Sequence, residues 1–170
     1  MYKSLENGAR FVANSLALAG GGVLILLTAV TCISIVGRVF VPFDLGIGPI
    51  RGIYDITEIG IAAAVFAFLP LAQFKEAHAR VDLFQWALPR KLDQALDVLY
   101  NGAMAFVAAV GTSRMYLGMQ DKITYGETTL IAQIPMWQGY ALALIGATGF
   151  VVVAIFCVLR SARRFAGLEE

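Results

Sequence analysis

The sequence predicts an all-α integral membrane protein with four transmembrane helices. Three observations carry this: where charge is missing, what the composition is, and where the basic residues fall. Ionisable side chains are absent from residues 11–37 apart from Cys32. Cys and Tyr aside, they are also absent from 59–74, 98–113 and 128–159. A charge at mid-bilayer costs roughly 2.5–3.5 kcal/mol on insertion scales, so runs this clean mark segments that dwell in hydrocarbon. Hydrophobic residues make up 59% of the chain and charged ones 15%, against roughly 45–50% and roughly 25% in soluble domains. The runs are apolar all round rather than striped, as a soluble amphipathic helix would be.

The spans are expected at about 11–37, 53–74, 92–117 and 136–159, within one transmembrane domain over residues 1–170. The first run is too long for the h-region of a signal peptide, which favours an uncleaved first helix. Arg38 closes it, and Pro42, Gly46, Gly48 and Pro49 punctuate the loop beyond. The second span begins near Ile53 and ends near Phe74, with Pro70 as the expected kink. Residues 75–89 mix Val81, Leu83, Phe84, Trp86 and Leu88 with Arg80, Asp82 and Gln85. That composition suits either an amphipathic helix in the headgroup layer or a connecting loop with a Trp anchor. Pro89 fits the first turn of the third span, which continues to about Leu117. A polar turn is expected at 121–127, and Trp137 and Tyr140 fall where an aromatic belt would lie.

Lys3, Arg10, Lys75, Arg80, Arg90, Lys91, Arg160, Arg163 and Arg164 share one side in this layout, whereas Arg38, Arg51, Arg114 and Lys122 share the other. The positive-inside bias therefore predicts cytoplasmic termini and a cytoplasmic middle loop. Small residues recur at four-residue spacing: Ala13, Ala17 and Gly21; Ala63 and Ala67; Ala105, Ala109 and Ser113; Gly139, Ala143 and Ala147. Such stripes let helix backbones approach closely in lipid.

Within the spans the polar groups are mild (Asn14, Thr28, Thr31, Ser34, Asn101, Gln138 and Thr148) and suit interhelical hydrogen bonding rather than a solute pathway. Arg114 is the one charge set inside a span. Asp55, Glu58 and Glu127 lie at the same outer level, so it is expected either to pair with one of them, foremost Glu58, tying helix three to helix two, or to snorkel to nearby headgroups. The near-neutral net charge gives no case for nucleic acid. His78 is the only histidine, and Cys32 and Cys157 are isolated, so no cofactor ligand set, metal site or catalytic triad is expected, and no enzyme.

Two segments carry a family resemblance. Lys75-Glu76-Ala77-His78-Ala79-Arg80-Val81-Asp82-Leu83 follows helix two. Gly126-Glu127-Thr128-Thr129 leads to Ile134-Pro135-Met136-Trp137 and Tyr140 at the start of helix four. In this order, with four spans, they resemble the small membrane (DctQ-type) subunit of tripartite ATP-independent periplasmic (TRAP) transporters. The resemblance implies a bacterial or archaeal inner-membrane complex. In it a large multi-span subunit carries the substrate, commonly an organic acid, and the coupling sodium ions by an elevator-type movement. A periplasmic binding protein delivers the substrate. The small subunit would then be a scaffold, holding no cofactor itself and contacting the large subunit, the binding protein and lipid. Arg80, Asp82, Phe84 and Trp86 become candidates for fixing an interfacial helix. Asp44, Arg51 and Lys122 are candidates for docking the binding protein. Glu127, Pro135 and Trp137 are expected to shape the start of helix four, with Glu127 as its cap. The alternative is a stand-alone four-span structural or assembly protein without transport function.

Overall fold

The computed structural model describes residues 2–41, 48–77 and 90–167, and the segments 42–47 and 78–89 lie outside that description. Its four helices are α1 (Tyr2–Phe40), α2 (Ile53–Phe74), α3 (Arg90–Tyr125) and α4 (Met136–Phe165). Each is long and apolar enough to cross a membrane. α2 has the predicted bounds, with Pro70 buried inside it. α1 and α3 run well past the predicted spans, because charge ends a membrane span without ending a helix. Gln120, Asp121 and Lys122 therefore continue α3, and the predicted polar turn starts only at Gly126. There φ turns to +62°, and the N–H groups of Gly126 and Glu127 bond the carbonyls of Ile123 and Lys122. A left-handed glycine of this kind stops a helix without a Cβ penalty.

α4 is the hub. It packs against all three other helices, while α1 also packs on α2 and α3 leans mainly on α4. Half of the apolar window of α4 is buried, against 11% for α3. Its contact residues explain this. A Cβ on Gly146 would lie 2.5 Å from the Phe66 carbonyl carbon, so α2 and α4 touch backbone to backbone there. Gly149 receives Leu16 from α1 and Pro70 from α2, and Gly139 receives Ile59. Ala143, Ala147, Val153, Ala154 and Cys157 complete the buried stripe. In lipid this close approach, rather than expulsion of water, holds helices together.

The predicted small-residue stripes are used unevenly. On α4, Ala143 and Ala147 are buried and Gly139 is half-buried. On α1 the residue facing α2 is Gly20, a Cβ on which would sit 3.0 Å from that of Ala67, whereas Gly21 meets open space. On α3 the predicted Ala109 and Ser113 are exposed, and Ala108 is buried in their place. Spacing names the period; the neighbouring helix picks the phase.

Candidate functional site

Polar chemistry gathers at the two ends of the bundle. At the end carrying both termini, three neutral side chains from three helices join. Gln73, Asn101 and Ser161 are 1%, 2% and 3% exposed. Gln73 Nε2 donates to Asn101 Oδ1 at 2.8 Å, and Asn101 Nδ2 donates to Ser161 Oγ at 3.1 Å and to the Asp97 carbonyl at 2.9 Å. Ser161 Oγ donates to the Cys157 carbonyl at 2.6 Å, and the Cys157 thiol points at the Gln73 carbonyl at 3.6 Å. Gln73 Oε1 is buried without a protein donor. α2, α3 and α4 are thus knotted where the apolar runs end.

A charged layer lies just outside this knot. The Arg160 guanidinium donates to the Phe74 carbonyl at 3.2 and 3.3 Å, satisfying a carbonyl at the end of α2 that has no helical partner. It also donates to Glu76, whose Oε1 accepts from Arg164 at 3.3 Å. Phe74 stacks on Phe156 with ring centroids 6.1 Å apart. Glu76 sits at φ +53°, so the chain turns sharply out of α2 at this carboxylate.

The loop end is built around Asp55, on the first turn of α2 and 9% exposed. Its Oδ2 accepts the backbone N–H groups of Ile131 and Ala132, at 3.0 and 2.7 Å. One carboxylate therefore pins the α3–α4 loop onto α2. Gly52 makes the approach possible twice over. Its φ is +74°, and a Cβ there would lie 2.5 Å from that of Ala132. The loop itself is a small hairpin: Thr128 bridges Pro135, Thr129 N–H donates to the Ile134 carbonyl at 2.9 Å, and Ile134 N–H donates to Thr129 Oγ1 at 3.0 Å. On the other loop, Ile50 N–H donates to Ser34 Oγ at 3.1 Å, tying the approach to α2 back onto α1.

The predicted site residues distribute as follows. Arg114 and Glu58 are both exposed, and no ion pair joins them among the described residues. α2 and α3 each pack chiefly on α4, and at this level it is Met115, next to Arg114, that shares a cavity of about 190 Å³ with Glu58. Glu127 does not cap α4 with its carboxylate. Its main-chain carbonyl accepts Met136 N–H at 3.0 Å, while its side chain pairs with Lys122. That hydrogen bond, beyond the apolar part of α3, holds the Lys122 ammonium above its usual pKa range. Pro135 occupies the N-cap position of α4 with no side-chain cap bond, and Trp137 and Arg51 are exposed. Asp44, Arg80, Asp82, Phe84 and Trp86 lie outside the described residues.

Gln73, Ser161 and the Arg160–Glu76 pair were not among the candidates, and Asp55 was one only as a possible partner of Arg114. Their signals are modest ones: an acid just after a glycine at a span boundary, and amides or hydroxyls where apolar runs stop. Among the described residues no group of three or more His, Cys, Asp or Glu could hold a metal ion. A shallow apolar groove of about 780 Å³ runs between α3 and α4, lined by Thr112, Tyr116, Leu144 and Thr148 among others. Two lateral faces have no partner among the described residues. α1 exposes Ala19, Leu26, Ala29, Ile33 and Val36, and α3 exposes Leu92, Leu99, Phe106, Val110 and Leu117, both on alternating steps of three and four or their sums. That is the spacing with which one helix seats against another.

The model of the family described as tripartite ATP-independent periplasmic transporters, DctQ component, matches residues 27–167. No curated protein and no solved structure matches the chain.

Proposed function

Because the chain belongs to the DctQ family, the small component of TRAP transporters, we propose that it works as the fixed scaffold of a secondary importer. In this reading it stays still while a large multi-span subunit moves substrate. The observation that carries it is the pair of end fastenings. Gln73–Asn101–Ser161 ties three helices at one end, Asp55 ties the α3–α4 loop to α2 at the other, and backbone-close contacts at Gly146 fill the length between. A body fastened at both ends resists shear, which is what a support for a moving neighbour needs. The unpartnered faces of α1 and α3 offer that neighbour somewhere to seat.

The finer parts of the reading follow the family and the charge pattern. The protein resides in a bacterial or archaeal inner membrane with both termini cytoplasmic, on the distribution of basic residues. The loop end then faces the periplasm, where Arg51, Lys122 and Asp44 help dock a substrate-binding protein. Residues 75–89, with Arg80, Asp82, Phe84 and Trp86, anchor the opposite side at the headgroup layer. Sodium ions and the substrate, an organic acid, bind to the large subunit.

Affinity purification of the tagged chain in mild detergent tests the scaffold role. A stable complex with a larger multi-span protein is expected. Liposomes holding both membrane subunits, given the binding protein and a sodium gradient, should take up an organic acid; liposomes holding this chain alone should not. Saturable uptake by this chain alone, or its purification with no larger membrane protein, would sink the proposal.

A further inference from the structure

We propose that Arg10 and Arg160, which both stand over the Phe74 ring, form with Lys75, the next residue in the chain, a binding site for the phosphate of an anionic phospholipid. Three helices supply one cation each. Arg10 comes from α1, Lys75 is the C-cap of α2, and Arg160 comes from α4. Each stands at the edge of its helix's apolar run: Arg10 directly precedes Phe11, Lys75 directly follows Phe74, and Arg160 directly follows Leu159. The three cations therefore lie at the boundary of the hydrocarbon, the level at which lipid phosphates reside.

The structure sets two of them against the same aromatic ring. The guanidinium carbons of Arg10 and Arg160 lie 5.8 and 5.5 Å from the centroid of the same Phe74 ring. An aromatic face attracts each cation but neutralises neither. Arg160 is engaged by Glu76 and the Phe74 carbonyl. Arg10 has spare capacity: its side chain is 58% exposed and reaches Glu6, one turn away on the same helix, at 3.4 Å. Lys75 is exposed. Arg164, one turn beyond Arg160, reaches the same Glu76 oxygen, so this carboxylate is shared between two guanidiniums. A phosphate settling among these groups relieves their mutual repulsion and can accept charge-assisted hydrogen bonds from a guanidinium.

A lipid-borne phosphate fits better than a free one. Apolar surface begins directly beneath the cations, where Phe11 is 72% exposed and ready to meet an acyl chain. Basic pockets between transmembrane helices recognise anionic headgroups by this combination.

Thermal unfolding of the full chain in neutral detergent tests the site. Added dioleoyl phosphatidylglycerol should raise the unfolding temperature saturably, while phosphatidylcholine and inorganic phosphate at equal concentration should not. In the R10Q/K75Q variant the half-saturating concentration of phosphatidylglycerol should rise about tenfold, and in R38Q/R51Q, changed at the opposite end, less than about twofold. Equal shifts from phosphatidylcholine, a full shift from inorganic phosphate, or equal weakening in both variants would each overturn the proposal. Native mass spectrometry of the unmutated chain gives a check independent of variant folding. Preferential retention of phosphatidylglycerol over phosphatidylcholine is expected, and lack of preference counts against the site.

Discussion

At the loop end a carboxylate does the fastening; at the end with the termini, neutral amides and a hydroxyl do it. Asp55 stands on the first turn of α2, beside loops that meet water, and takes two backbone N–H groups at once. Gln73, Asn101 and Ser161 sit almost wholly buried among helices, where an unpaired charge would carry a desolvation cost of several kcal/mol. The charges of that end, Arg160 and Glu76, are set one layer further out, with side chains 15% and 25% exposed. The difference shows charge used where water can share its cost and neutral hydrogen bonds used where it cannot. Between the ends polar clamps give way to Gly and Ala contacts, because in hydrocarbon close packing needs no desolvation.

The largest effect should come from breaking the middle rather than either end. Gly146→Leu would force α4 off the Phe66 backbone and should cost about 3 kcal/mol or more, while Gly21→Leu, facing open space, should stay within about 0.5 kcal/mol. Denaturant unfolding in detergent reads both, and equal effects would remove the case for backbone contact at Gly146.

Next comes the loop end. Asp55→Ala leaves two backbone donors unpaired and should cost about 2 kcal/mol, in the range of hydrogen bonds to charged groups. It should also speed hydrogen exchange at Ile131 and Ala132. Unchanged exchange there would mean the loop is held by something other than the carboxylate.

The amide knot should be cheaper to lose. Asn101→Leu should cost about 1 kcal/mol, since interhelical hydrogen bonds in membranes average about 0.6 kcal/mol. Changing both Gln73 and Asn101 to Leu should cost less than the two single changes summed, because no orphan donor is left behind. A double change costing more than that sum would contradict the knot as a mutual pair. The smallest effect belongs to Lys122→Ala, which removes a partly exposed ion pair with Glu127 and should leave the unfolding midpoint nearly unchanged in the same assay.

Much of the fold was legible because the bilayer imposes a coarse rule. The charge-free runs located all four helices, and α2 was bounded by Ile53 and Phe74 as read. Helix ends outside the lipid were harder, as α3 shows by running through Asp121 and Lys122 to Tyr125. The site was less legible. Arg114 stands out in the sequence as a lone charge, yet it is exposed and unpaired with Glu58, while Asp55, expected at most as a partner of Arg114, instead holds the loop end through backbone N–H groups.

The sequence by itself determined four segments long and apolar enough to cross a membrane and which residues flank them. Hydrocarbon excludes charge whatever the neighbours are, so composition alone suffices for that. Only the tertiary structure decided that α4 is the hub, that Gly20 and Gly146 rather than Gly21 lie against neighbouring helices, and that Asp55 and Asn101 are the fasteners. Those choices depend on which face of each helix meets another, and a periodic stripe fixes a spacing without fixing the partner that will fill it.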